Sequence, residues 1–354
     1  MALALQDQLA TAAANLDSQE DDKVCTALQL VAVAGEAGES YFGKALEIAQ
    51  KSSSLSVKRA AVAAVASTCK GQAAKATPVL EDGLTSNDAG IRKASAEGLG
   101  HLKAEGSVAK ISPLLTDSHM LVRNAAMAAL AAVGPKASSE AHTVATNLRA
   151  PLLRGDAIRA LGRMGKEGAS HVDEIAIYLE DSDPTIRLAV SEALRDMGDL
   201  VPDNVVDKAG DLLDHQQDRY RATAALAVGS CGAKGLKYKA KLVKMLRENA
   251  LTFSSPVLAP NCAAAIALGR LGAEGEQLAG YLKSRSGRMK AAVCQAISEM
   301  GKAGLSHAGA VAGCLEDEDF GVRAAAAVSL EALQKAGGLD SSAAAALEAF
   351  RKGN

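Results

Sequence analysis

No tryptophan occurs in these 354 residues, and aromatic side chains make up only 3% of them. Sandwiches and barrels rest on aromatic and β-branched residues, so an all-β fold is a poor match. No run of eighteen uncharged apolar residues appears, so no segment is expected to span a bilayer. The opening Met1-Ala-Leu-Ala-Leu lacks a basic stretch ahead of a long apolar core, which argues against a signal peptide. The six cysteines (Cys25, Cys69, Cys231, Cys262, Cys294 and Cys314) form no Cys-x-x-Cys pair and have no histidine at ligand spacing. They read as buried small hydrophobes in a reducing compartment, not as disulfides or a zinc site. Cytoplasm is the expected location, with an organelle lumen or matrix after removal of a transit peptide as the alternative. A net charge of -2 excludes a protein that is basic throughout. What the chain does have is 48% hydrophobic residues, mostly alanine with leucine and valine, a composition that favours closely packed helices.

It also repeats. Ile91-Arg92 leads to Leu99, Val122-Arg123 to Leu130, Ile186-Arg187 to Leu194, and Val322-Arg323 to Leu330. The frame is a β-branched residue, an arginine, small residues, and a leucine seven positions after the arginine. A glycine often follows eleven positions after it, as at Gly134, Gly165 and Gly198. Extending the frame gives anchors at Val24, Lys58, Arg92, Arg123, Arg154, Arg187, Arg221, Asn261, Lys290 and Arg323, about 33 residues apart. Each unit reads as a short amphipathic helix, a turn rich in Asp, Ser or Pro, and a longer helix that starts at the anchor and ends at glycine. One helix pair cannot bury its own apolar face, so neighbours must stack. The expectation is an all-α chain, a single α-solenoid over 1–354 of about ten helix pairs. Cap helices are expected at 1–16 and 340–352.

The frame resembles HEAT repeats, in particular the short HEAT-like repeats of the phycobilisome lyase family. The turn aspartate six residues before the arginine is present as Asp117 with Arg123, Asp181 with Arg187, and Asp317 with Arg323. The resemblance implies that these side chains form a hydrogen-bonded ladder from repeat to repeat. It weakens where Ser86 precedes Arg92 and His215 precedes Arg221. The resemblance also suggests two enzymes. An iron hydroxylase on this scaffold uses His-Glu pairs, but no histidine here is followed by glutamate. A bilin lyase or isomerase would want polar or aromatic residues on its concave face, and most of the nine tyrosines and phenylalanines fall outside the second helices.

No phosphate loop, nucleophile elbow or metal-ligand cluster is visible, so no catalytic residue, cofactor or metal is expected. Charge is more informative. Between Val172 and Asp218 thirteen acids face three bases, and between Lys234 and Lys290 eleven bases face three acids. Such a dipolar chain suits a charge-steered protein partner with an acidic surface, or membership of a large complex. Lys237, Lys241 and Lys244 share the spacing of one helix face, while Leu242, Met245 and Leu246 turn inward. Few aromatics accompany them, which argues against nucleic acid. The insertion at 251–260 breaks the period and carries Phe253 and Leu258 between prolines, as a docking loop would. Arg159 and Arg163, one turn apart, are candidate contacts on the second-helix side that lines the concave surface in the family. The reading is a non-catalytic interaction scaffold or structural subunit, with the chromophore lyase as the alternative.

Overall fold

The structure is a computed structural model that describes residues 2–248 and 259–353. Among these residues every regular element is a helix or a helical turn. The chain forms two compact units, divided between His171 and Val172.

The first unit contains α1 (Ala2–Asn15), α2 (Asp21–Ala34), α3 (Phe42–Lys51), α4 (Leu55–Thr68), α5 (Ala73–Gly83) and α6 (Ala89–His101). It continues with α7 (Val108–Ile111), α8 (Met120–Val133), α9 (Ala141–Ala145), α10 (Arg154–Arg163) and α11 (Gly165–Ala169). The second unit contains α12 (Val172–Ala176), α13 (Pro184–Met197), α14 (Asp203–Asp211), α15 (Asp218–Ser230), α16 (Lys239–Leu246) and α17 (Pro260–Arg270). It ends with α18 (Gly275–Gly280), α19 (Gly287–Glu299), α20 (Ala308–Gly313), α21 (Phe320–Gly337) and α22 (Ser341–Gly353). The expected alternation is present, an α-solenoid pattern in each unit. First helices are short and tighten into 3₁₀ turns, as at Ser112–Thr116, Leu212–Asp214 and Cys314–Glu316. Second helices are long and pack on one another in sequence, α4, α6 and α8 in the first unit and α13, α15, α17, α19 and α21 in the second.

Small residues make this stacking possible. A Cβ placed on Gly269 of α17 would sit 2.2 Å from the Ala296 carbonyl oxygen and 2.6 Å from its Cα. Glycine is therefore required there by the approach of α19. Gly134 and Gly198 end α8 and α13 with φ of 75° and 55°, a left-handed backbone in which any larger side chain is strained.

A polar ladder ties successive second helices together from α4 onward. Arg92 donates from Nη1 to the Ser86 carbonyl six residues back, at 2.8 Å. Its Nε and Nη2 reach forward to both carboxylate oxygens of Asp117, at 2.7 and 3.0 Å. Arg123 in turn donates to the Asp117 backbone carbonyl at 2.5 Å. Backward bonds of the same kind join Arg154 to Leu148, Arg187 to Asp181 and Arg323 to Asp317. The forward contact recurs in the bond from Lys290 to the Asp317 carboxylate. The aspartate thus pairs by its side chain with the preceding repeat's anchor and by its backbone with its own. Arg59 plays the forward role for α4, donating to the Asp88 carboxylate.

The ladder also locates the insertion. Arg221 reaches forward to Glu248 Oε2 at 2.9 Å, and Asn261 donates back to the Glu248 carbonyl at 3.3 Å. Glu248 therefore occupies the aspartate position, and the extra residues fall between it and its anchor. Phe253 and Leu258 lie outside the described residues.

One rung lacks its acid. Where the next repeat would offer Arg187 a carboxylate, the chain has His215, whose Nδ1 accepts the Gln217 N–H at 2.9 Å, much as Asp117 accepts that of His119. Arg187 is only 1% exposed, and burial lowers the pKa of its guanidinium. It donates to Thr223 Oγ1 at 3.1 Å and lies 4.9 Å above the Tyr220 ring.

Three outcomes follow for stability. Gly269→Ala will destabilise by about 1–3 kcal/mol through overpacking, against a helix-propensity gain of about 1 kcal/mol. Gly309→Ala in α20, where an added Cβ meets nothing within 4 Å, will be neutral or stabilising; urea midpoints distinguish the two. Arg92 holds the Asp117 carboxyl below its usual range. That contribution is complete above the unfolded value near pH 4 and is lost as pH falls through the lower folded value. Asp117→Asn will cost about 2 kcal/mol at pH 7, and its difference from the parent in urea titrations will shrink below about pH 4. His215→Asp will supply the missing acid to Arg187 and raise stability by about 1–2 kcal/mol.

Candidate functional site

Counting from each anchor, the residues one, five and nine positions on form the face of the second helices that points away from the first helices. On α6 this face carries Lys93, Glu97 and His101, with Lys93 and Glu97 paired at 2.7 Å. On α8 it carries Asn124, Ala128 and Ala132, and Ala128 is exposed. On α10 it carries Arg159 and Arg163, as the sequence suggested. Arg163 is exposed and Arg159 lies partly so, 3.8 Å from Asp156.

The second unit shapes this face into a groove. A depression of about 770 Å³ crosses α17, α19 and α21. Its floor is Cys262, Ile266, Ala292 and Ala325, with Gln295 and Val328 on its rim. Val328 is 67% exposed, an apolar side chain that the fold leaves uncovered. Arg288 stands at one end, and Glu299 at the other. Among the described residues no aromatic lines the groove.

At the Glu299 end, charges converge from three helices. Arg195 of α13 and Arg270 of α17 approach the same Glu299 oxygen, at 4.0 and 3.7 Å. Arg270 is anchored by Nη1 to Ser230 Oγ at 3.0 Å and to the Leu226 carbonyl at 3.3 Å. Its Nε is buried and makes no hydrogen bond. Burial pushes the Arg270 pKa down, and Glu299 acts against that shift. The corresponding face of α15 is closed beneath this cluster, with Leu226 and Ser230 both buried.

The lysine stripe is arranged differently from the sequence expectation. Lys237 lies in the 3₁₀ segment Gly232–Tyr238, ahead of α16, while Leu242, Met245 and Leu246 are buried as expected. Lys237 pairs with Asp207 at 2.5 Å and Lys241 with Asp214 at 2.7 Å. Two of the three charges are thus balanced by α14 and the turn after it, because acidic and basic repeats are neighbours. Lys244 is exposed beside Glu248.

Two of the buried thiols are held in the protonated form. Burial pushes Cys231 up to about 12 and Cys262 up to about 11, so both remain protonated near neutral pH. Among the described residues no three His, Cys, Asp or Glu side chains gather where they could hold a metal ion. No described helix is long and apolar enough to cross a membrane. The sequence singles out Arg159 and Arg163 and does not single out Arg195, Arg270, Glu299 or Val328. Their positions relative to the anchors were available, but the meeting of Arg195, Arg270 and Glu299 depends on packing.

Comparison with known proteins agrees on architecture. The family model for HEAT repeats matches residues 42–131 and 143–229, half of the chain. No curated protein sequence matches it. The crystal structure of an engineered protein superposes with a TM-score of 0.51 at 16% identity, over 93% of this chain and 99% of that one. Yeast importin-β (Kap95p) superposes with a TM-score of 0.56 at 12% identity, over 98% of this chain and 53% of that one. This chain therefore spans about half the length of importin-β, and the likeness is one of fold. With its ladder, its alternating helices and the family match over half its length, the chain belongs to the HEAT-repeat family.

Proposed function

We propose that this chain is a non-catalytic protein-binding scaffold whose contact surface is the open face of its second helices. The observation that carries this reading is the groove over α17, α19 and α21. It combines a floor of small apolar side chains, an uncovered Val328 and polar groups at both ends. A large exposed valine within such a groove is the arrangement expected of a surface that is completed by another protein. Arg159 and Arg163 offer a similar but more basic face on α10 in the first unit. The lysine stripe is a weaker candidate, since Lys237 and Lys241 are occupied by Asp207 and Asp214. A chromophore-handling activity gains nothing from the groove's lining.

Site-specific photocrosslinking in native extract tests this reading. A benzophenone side chain replaces Gln295 in one variant and the outward-facing, 63% exposed Ile177 in another. Discrete protein adducts from position 295, absent from position 177, are expected. Adducts from position 177 alone would move the contact surface to the first helices. Changing Lys244 to Glu is expected to leave the adducts at position 295 unaltered.

A further inference from the structure

Two guanidinium groups in the second unit share one carboxylate. Charge-assisted hydrogen bonds between arginine and a carboxylate form at about 2.7–2.9 Å. Glu299 stands 3.7 Å from Arg270 Nε and 4.0 Å from an Arg195 nitrogen, close enough to attract both and to bond neither. The result is visible at Arg270, whose buried Nε has no hydrogen-bond acceptor. Leaving a buried donor unsatisfied is costly, more so when it belongs to a charged group. Arg195 differs in exposure: 48% of its side chain is accessible, while that of Arg270 is 11% accessible. Glu192, one turn before Arg195 on α13, also acts on Arg270 electrostatically. Even so, Glu299 is the acid that both guanidinium groups approach.

We propose that a second carboxylate, from an acidic segment of a protein partner, binds Arg195 at this end of the groove and frees Glu299 to close on Arg270. The inference rests on the scaffold reading and names the chemistry of its ligand. Glu299 acts as the internal stand-in for the partner's acid, and binding resolves the sharing. The rest of the segment is set by the groove. From Arg288 to Glu299 is eleven residues of helix, about 16 Å, which about five extended residues span. Those residues would lie over Ile266, Ala292, Ala325 and Val328, so they need small or apolar side chains. The partner motif is therefore a short apolar stretch ending in Asp or Glu.

The test uses the intact chain and three fluorescein-labelled nonapeptides of Ala, Leu and Ser that carry a single Asp, Asn or Lys at the same position. Fluorescence anisotropy is expected to show the Asp peptide binding about tenfold tighter than the Asn peptide, the scale of one charge-assisted pair. Arg195→Gln should abolish that preference. Glu299→Gln should tighten the Asp peptide several-fold, because the internal competitor is gone. Lys244→Gln should change nothing, and thermal melts check that each variant folds. Equal binding of the Asp and Asn peptides, or a preference that survives Arg195→Gln, overturns the carboxylate site while leaving the apolar groove in place. If no peptide binds but crosslinks from position 295 persist, the inferred motif is wrong and the scaffold reading stands. Failure of both measurements removes the two together.

Discussion

The bond that organises each unit is the one from an anchor side chain to a backbone carbonyl six residues earlier. It closes the turn between first and second helix and fixes where the second helix begins. The same guanidinium then has donors left over, and its planar fork matches a carboxylate on the next repeat. Arg92 does both, with Ser86 behind it and Asp117 ahead. Intra-repeat geometry and inter-repeat register are therefore set by one residue. The close contact of Gly269 with Ala296 is permitted only because the register is this exact.

The ladder is not confined to arginine. Lysine serves at position 290 and asparagine at 261, each making one of the two contacts described for arginine. His215 keeps the turn acceptor but gives up the carboxylate, and Arg187 turns forward to the Thr223 hydroxyl, the Arg219 carbonyl and the Tyr220 ring. That rung carries an imidazole where its counterparts carry a carboxylate. Acidic and basic repeats sit next to each other in the second unit, and the pairs Lys237–Asp207 and Lys241–Asp214 join them.

Periodicity made the repeat frame legible because every repeat solves the same local problem with the same residue types. Anchors, glycine caps and the all-helical character follow from residues within about 33 positions of one another. Glu248 was hidden for a specific reason: the insertion separates it from Asn261 by thirteen positions where other repeats use six. For the lysine stripe, spacing reports which side chains share a helix side and is silent about what the previous repeat presents to them. Asp207 and Asp214 supply that information only once α14 packs beside α16. The meeting of Arg195 with Glu299 is further still from sequence reach, since it joins residues three repeats apart.

That meeting also has a mechanical side. Second helices joined through soft small-residue contacts can flex by small rotations at every repeat. Arg195 of α13 and Glu299 of α19 face each other at 4.0 Å across α15 and α17, so rotation in the opening sense lengthens an ion pair and rotation in the closing sense shortens it. Within the second unit one glutamate thus couples α13 and α17 to α19, so that a rotation of any one of these helices is felt electrostatically by the other two.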